Sequence, residues 1–79
     1  MKAYMVEVEG CGQVKGVYVY DSLKQARVEL EDMGFAKVRG KARQYVGWAR
    51  NAYDVPEHKC YILHTEKEWG VLAHTYYHI

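Results

Sequence analysis

A strand, a capped turn and one amphipathic helix follow one another between Gly16 and Gly34, and this succession constrains the fold more than any other part of the sequence. Residues 17–20 are β-branched or aromatic, which suits a pleated and half-buried strand. Ser22 and Gln25 form the Ser-x-x-Gln pattern of a capping box, in which side chains satisfy backbone N–H groups at the start of a helix. Gly34 stands where a helix commonly ends in a left-handed residue. The segment therefore predicts a strand that leads into a helix between Ser22 and Gly34.

The helix predicted after Ser22 has one apolar stripe and several charged faces. The stripe consists of residues at helical spacing, namely Leu23, Ala26, Leu30 and Met33. We expect this stripe to pack on a sheet. The other faces carry three carboxylates, which are those of Glu29, Glu31 and Asp32. Acids in such positions usually keep a helix soluble, but they could also meet a basic partner.

The residues before the helix predict a β-hairpin. One face of residues 2–9 consists of Tyr4, Val6 and Val8, and the other of Met5, Glu7 and Glu9. This alternation is typical of a half-buried strand. Residues 10–13 contain two glycines, which tolerate positive φ in a turn, and the chain then returns as a second strand over residues 14–20.

Residues 35–53 fit two patterns. Read as a helix, they bring five residues near one stripe, namely Val38, Ala42, Tyr45, Ala49 and Tyr53. Read as strands, they alternate cations from Lys37 to Arg43, turn near Gly40 and continue as a short strand over residues 45–48. Gly40 and Gly47 would each cost a helix interior about 1 kcal/mol. We therefore favour strands, followed by a loop over residues 51–57.

The C-terminal part predicts a second hairpin and completes the expected fold. Residues 60–65 and 71–79 favour strands, and residues 66–70 between them fit a turn. Residues 1–79 would form a single α+β domain, with an antiparallel sheet of about four to five strands and one amphipathic helix packed on it, in ββαβββ order. Residues 75–79 would form an edge strand able to pair with a second copy of the chain in a homodimer.

Composition narrows the functional classes. An apolar fraction of 49% and a charged fraction of 27% argue against disorder. The first residues contain no apolar signal core, and no run approaches the roughly 20 apolar residues of a membrane span. Two cysteines are too few for a disulfide scaffold. We therefore expect a cytoplasmic protein that does not enter a membrane.

One group of side chains resembles a metal site. His58, Cys60 and His64 lie in one predicted strand, and His74 in the next could approach His64 across the hairpin. Their spacing matches no known zinc module, so we expect surface histidines, no bound metal and no cofactor. Cys60 would not reach a histidine of its own strand, and no carboxylate pair or Gly-rich phosphate loop has a defined geometry. The sequence therefore predicts no enzymatic activity.

The segment from Lys37 to Arg50 is the most basic part of a chain whose formal charge is only +1. Its cations, with no acid between them, are Lys37, Arg39, Lys41, Arg43 and Arg50, and Tyr45 and Trp48 are interleaved with them. Cations follow phosphates and aromatic rings stack on bases, so single-stranded nucleic acid is one candidate ligand. A solvated strand face and a surface for an acidic protein are the alternatives.

The segment Gly16-Val-Tyr-Val-Tyr-Asp-Ser-Leu-Lys-Gln-Ala-Arg-Val-Glu-Leu resembles the G-V-Y…S-x-x-x-A pattern of small uncharacterised phage-encoded α+β proteins. The resemblance covers about a quarter of the chain and carries no catalytic residue. It implies an accessory protein that binds and blocks a host protein, for example a defence protein such as a CRISPR effector, in the host cytoplasm.

Two functional hypotheses follow from the sequence. The first is a small non-enzymatic binding protein, with a host protein as its partner. Its predicted contacts are Lys37, Arg39, Lys41, Arg43 and Trp48, together with an exposed tip around Trp69. Trp, Tyr and Arg dominate the binding energy of protein interfaces, which favours this hypothesis. The alternative is a nucleic-acid-binding module that uses the basic and aromatic segment 37–50.

Overall fold

A five-stranded antiparallel sheet forms the centre of the protein, and two helices pack on it. The computed structural model describes residues 2–8, 13–41 and 43–77, with side chains up to residue 73. The elements are β1 (Ala3–Val8), β2 (Val14–Tyr20), α1 (Leu23–Asp32), β3 (Ala36–Lys37), β4 (Gln44–Arg50), β5 (Pro56–Thr65) and α2 (Glu66–Tyr77). The strand order across the sheet is β2-β1-β5-β4-β3, and all neighbouring strands are antiparallel. The predicted α+β class with an antiparallel sheet is confirmed.

The predicted antiparallel pairing of the first two strands and the first helix are confirmed, whereas residues 10–12 of the predicted turn lie outside the described part of the chain. The Oγ atom of Ser22 accepts the backbone N–H of Gln25 at 3.1 Å, and the Gln25 side chain accepts the N–H of Asp21 at 3.2 Å. At the other end, Gly34 has φ 90 and donates its N–H to the carbonyl of Glu31 at 3.0 Å. The N–H of Phe35 reaches back to the carbonyl of Leu30 at 2.9 Å. These two bonds form a Schellman motif, which only a residue tolerant of positive φ completes easily.

The core lies between α1 and one face of the sheet. Ala26 and Leu30 of the predicted stripe are buried, whereas Met33 is half exposed and does not belong to the core. Residues of four other segments complete the core cluster, namely Met5, Phe35, Tyr45, Tyr61 and Leu63. The rings of Phe35 and Tyr61 meet edge to face, with centroids 5.0 Å apart. The Schellman motif thus turns the chain so that Phe35 enters the core directly after the helix.

The preference for strands over residues 35–53 is confirmed, but the expected alternation of cations is wrong. Only Lys37 of the four alternating cations lies in a strand, because β3 has two residues. Arg39 and Arg43 belong to the turn that links β3 to β4, with Gly40 at φ 77 and Arg43 at φ 58. The predicted loop is also shorter than expected, since β5 already begins at Pro56. Proline is tolerated as the first residue of a strand.

The predicted C-terminal hairpin is wrong, because residues 66–77 form α2. The signal for this helix was present in Thr65 and Glu68. The Oγ1 atom of Thr65 accepts the N–H of Glu68 at 3.2 Å, and the Glu68 carboxylate accepts the N–H of Thr65 at 2.7 Å. This is a complete Thr-x-x-Glu capping box. The predicted edge strand over residues 75–79 is therefore absent up to residue 77, and residues 78 and 79 lie outside the described part of the chain.

Gly47 and Gly70 provide a matched test of the packing of Phe35 against β4. A Cβ atom on Gly47 would overlap the buried ring of Phe35, whereas a Cβ atom on Gly70 would have no neighbour within 4 Å. Gly47→Ala should lower the free energy of unfolding by about 1–3 kcal/mol, because the core has no room for the methyl group. Gly70→Ala should raise it by up to about 1 kcal/mol, because alanine favours a helix. Urea denaturation of both variants checks this, and equal effects would contradict the packing of Phe35 against Gly47.

Candidate functional site

The two faces of the sheet are covered to different extents. Alternate residues of a strand point to opposite faces, so Tyr4 and Val6 lie opposite the α1 face that holds Met5. Helix α2 packs on β1 and β5, and Trp69 of α2 stacks on Tyr4 with ring centroids 5.0 Å apart and planes 18° apart. Trp69 is consequently half buried, and the exposed tip predicted around it is wrong. Val6 is buried as well, so β1, an interior strand of the sheet, is covered on both faces.

The part of this second face that lies over β4 and the first half of β5 is open. We call it the Trp48 face, and its residues are Val8, Gln44, Val46, Trp48, His58, Cys60 and Ile62. Together with Pro56 and four charged residues, they line a shallow depression of about 760 Å³. The Trp48 side chain is 67% exposed, which is unusual for the largest apolar residue type. An exposed tryptophan in a concave surface is a feature of binding sites.

Cross-strand pairs hold the side chains of the Trp48 face in place. Trp48 lies opposite His58 in the register, and their rings meet edge to face with centroids 5.3 Å apart. In the same register Val46 lies opposite Cys60. The Nε2 atom of Gln44 donates to the Sγ atom of Cys60 at 3.2 Å. Trp48 therefore stands on a rigid two-stranded support rather than on a loop.

The charges around the Trp48 face are concentrated at its rim. None of its seven residues is a carboxylate, and the charged residues that also line the depression are Glu7, Lys15, Glu57 and Lys59. Lys15 and Glu57 approach within 4.0 Å of each other at one end, and Arg50 pairs with Asp54 beyond Trp48. A partner would therefore meet a neutral centre and a rim of mixed charge, the usual anatomy of a protein interface.

The basic segment does not form one continuous surface. Lys37, Arg39 and Lys41 are exposed around the turn between β3 and β4. Arg43 instead pairs with Glu68 at the start of α2. Arg50 lies at the opposite end of β4, roughly 20 Å from Gln44 at the usual strand rise. The structure thus brings three of the predicted cations together and separates the other two from them.

A buried carboxylate on the α1 face was not anticipated. Glu7 is buried, accepts a hydrogen bond from the Tyr18 hydroxyl at 3.1 Å and lies 3.4 Å from the ammonium of Lys59. Burial, together with the nearby Glu7, raises the pKa of Tyr61 to about 12. Burial and the bond to Glu7 also raise the pKa of Tyr18. These contacts compensate a buried charge, so their role is structural.

The histidine and cysteine residues considered as metal ligands do not converge. His58 and His64 lie on one face of β5 but six residues apart, which is roughly 20 Å along a strand. Among the described residues, no group of three or more histidine, cysteine, aspartate or glutamate side chains could hold a metal ion. The side chain of His74 lies outside the described part. Cys60 has Gln44 as its polar neighbour.

The fold and the open face define the class to which this molecule belongs: a small α+β protein whose antiparallel sheet carries one closed and one partly open face. The chain matches no family model, no curated protein and no solved structure. Within the residues that the structure describes, no helix is long and apolar enough to cross a membrane.

The contact between β5 and α2 should make the protein sensitive to acid. Burial lowers the pKa of His64 below its usual 6.5, and the Thr65 N–H lowers the pKa of Glu68 below 4.5. A group whose pKa is lowered by folding stabilises the folded state at pH values above its usual pKa. This stabilisation is lost as the pH falls towards the lowered pKa. The free energy of unfolding should therefore decrease from pH 7 to pH 5 through His64, and further below 4.5 through Glu68.

Urea denaturation at pH 7 and pH 5 measures this effect. His64→Gln should reduce the difference between the two pH values, because glutamine does not titrate. His58→Gln is the matched control, since His58 is exposed and distant from α2. An unchanged difference in the His64 variant would contradict the assignment.

Proposed function

We propose that this protein is a non-enzymatic binding protein that holds a protein partner on the Trp48 face. The observation that carries the proposal is the exposure of Trp48 at one end of an open sheet face. Tryptophan is the residue type most enriched among those that dominate interface energies. Leaving so much apolar surface in water costs free energy, which a partner would recover by burying it.

The rigidity of the support adds to this proposal. His58 packs against the Trp48 ring, and both residues lie in strands paired over their full register. A side chain already held in position loses little conformational entropy when a partner binds it. The flanking Val46 and Ile62 extend the apolar centre, and the polar rim can supply hydrogen bonds.

The resemblance of residues 16–30 to phage-encoded accessory proteins supports a host protein as the partner. A defence protein such as a CRISPR effector is the first candidate, and its inhibition in the host cytoplasm would be the biological outcome. This extension rests on the resemblance, whereas the location of the binding surface rests on Trp48.

Trp48→Ala should weaken partner capture strongly while the protein stays folded. Removal of a tryptophan that dominates an interface typically costs at least about 2 kcal/mol, or roughly 30-fold in affinity. Tyr53→Ala is the matched control, because Tyr53 is another exposed aromatic residue, 87% exposed in the loop after β4. Tagged wild type and both variants are incubated with a bacterial lysate, and bound proteins are quantified by mass spectrometry.

A stoichiometric partner retained by the wild type and by the Tyr53 variant, but lost by the Trp48 variant, supports the proposal. Circular dichroism and urea denaturation verify that both variants remain folded. Absence of a stoichiometric partner, or equal loss in both variants, would argue against the Trp48 face as a protein-binding site.

The exposed turn between β3 and β4 favours a second candidate function, the binding of single-stranded nucleic acid. Lys37, Arg39 and Lys41 are exposed there, and the described residues include no ion pair to any of them. Trp48 lies on the strand that follows and could stack on a base. Arg43, although it is one of the predicted contacts, is a poor position for a test, because it pairs with Glu68.

Replacement of Arg39 and Lys41 by glutamate should abolish binding to a fluorescent single-stranded oligonucleotide, if this second function exists. The control replaces Lys24 and Arg27 by glutamate, an equal charge change on the exposed side of α1. Fluorescence anisotropy at low salt and at rising salt measures the affinity, which should fall steeply with salt. No binding at low salt, or the same loss in both double variants, would eliminate this candidate.

A further inference from the structure

Strand β2 forms one edge of the sheet, and its sequence suits pairing. Among the described residues, none pairs with its outer side. Its seven residues, Val-Lys-Gly-Val-Tyr-Val-Tyr, contain one charge and no proline. Val19 is 57% exposed and Tyr18 is also exposed. A long apolar edge of this kind presents unpaired N–H and C=O groups that can accept another strand.

The opposite edge of the sheet is less suited to pairing than β2. It consists of β3 and, beyond β3, of residues 47–50 of β4, which end in the charged Arg50. Strand β3 has only two residues, and the turn after it carries the exposed cations Arg39 and Lys41. Short strands and charged side chains are the means by which proteins prevent pairing at an edge. On the β2 side, only a bulge at Lys15 interrupts the strand, and residues 16–20 are regular beyond it.

We propose that β2 pairs antiparallel with β2 of a second copy of this chain, so that two sheets join into one of ten strands. The two-fold axis would pass through Tyr18, which places the regular segment 16–20 against itself. Val17 would then lie opposite Val19 of the second copy, and Gly16 opposite Tyr20 of the second copy. Valine pairs are favourable cross-strand combinations.

Charge complementarity selects this register. Lys15, which also lies 4.0 Å from Glu57 of its own chain, precedes the segment, and Asp21 follows it. With the axis at Tyr18, each Lys15 lies near Asp21 of the second copy, so two opposite-charge contacts close the ends of the interface. An axis at Val17 would instead place Lys15 near Val19 of the second copy. Because the two-fold axis makes each contact occur twice in the dimer, a favourable Lys15–Asp21 contact contributes twice to its stability.

Helix α1 leaves room for the second copy. It packs on β1, with further contacts to β5 and β2 on either side of that strand. With strands about 4.8 Å apart, the two α1 helices would lie roughly 14 Å from each other across the axis, beyond the 8–10 Å of packed helices. The backbone of β2 can therefore be approached without a clash between helices.

The mass in solution tests the proposal. Sedimentation velocity at increasing concentration should show the 9.2 kDa chain converting into a species of twice that mass. Val19→Lys should raise the dissociation constant at least tenfold, because it places a charge in the centre of the apolar pairing. Val28→Lys is the matched control, an equal change at a valine that is 46% exposed on α1, and should leave the dissociation constant unchanged.

Exchange of the charges tests the register. Lys15→Asp and Asp21→Lys should each weaken self-association severalfold, because each brings like charges together. An equimolar mixture of these two variants should associate more tightly than either variant alone, since the charges are then opposite again. Hydrogen exchange should show amides of residues 16–20 becoming protected as the concentration rises.

Three outcomes would overturn the proposal. They are a single 9.2 kDa species at concentrations up to about 1 mM, equal effects of the Val19 and Val28 variants, and no gain in the mixture of charge variants. Circular dichroism confirms that each variant is folded. Trp48→Ala serves as an internal reference, because Trp48 lies on β4 and its loss should leave the dimer intact.

Discussion

The insertion of Phe35 beneath α1 is the packing interaction on which the rest of the structure depends. The hydrogen bond from the Phe35 N–H to the Leu30 carbonyl reverses the chain at the helix end, and Gly34 makes the reversal possible. The ring then packs against Tyr61 and occupies the space that a side chain on Gly47 would need. One contact thus joins α1, β4 and β5, which are distant in sequence, and sets the position of β4 at the centre of the candidate site.

The coverage of the interior strand β1 on both faces explains why so small a chain can leave another surface open. Met5 of β1 packs under α1, and Tyr4 of the same strand packs under Trp69 of α2. The capping box at Thr65 and the ion pair of Glu68 with Arg43 hold the start of α2 beside β5. Since α2 covers only part of its face, the remaining part can serve recognition.

Apart from Lys15, which also lines the depression, the proposed partner surface and the proposed dimer edge occupy different parts of one sheet. The Trp48 face lies over β4 and β5, whereas the free edge belongs to β2, on the far side of β1. Pairing through β2 would therefore leave both Trp48 faces accessible and would present two copies of the binding surface. Such a dimer could hold two partners, or two sites of one partner, with a gain in avidity.

Short-range patterns in the sequence determined the first hairpin, α1 and the turn at Gly40, because caps and glycine turns involve residues only a few positions apart. The sequence also marked Trp48 as a contact, but not its neighbours His58, Cys60 and Val8. Only the tertiary structure placed these three residues on the Trp48 face, because a common face depends on the register between strands that are distant in sequence. It likewise decided that Trp69 packs on Tyr4 and that Arg43 pairs with Glu68, since both contacts require α2. Residues 71–77 are rich in types that favour strands, which concealed helix α2 in the sequence. The capping box at Thr65 and the packing of Trp69 on the sheet outweighed this intrinsic preference.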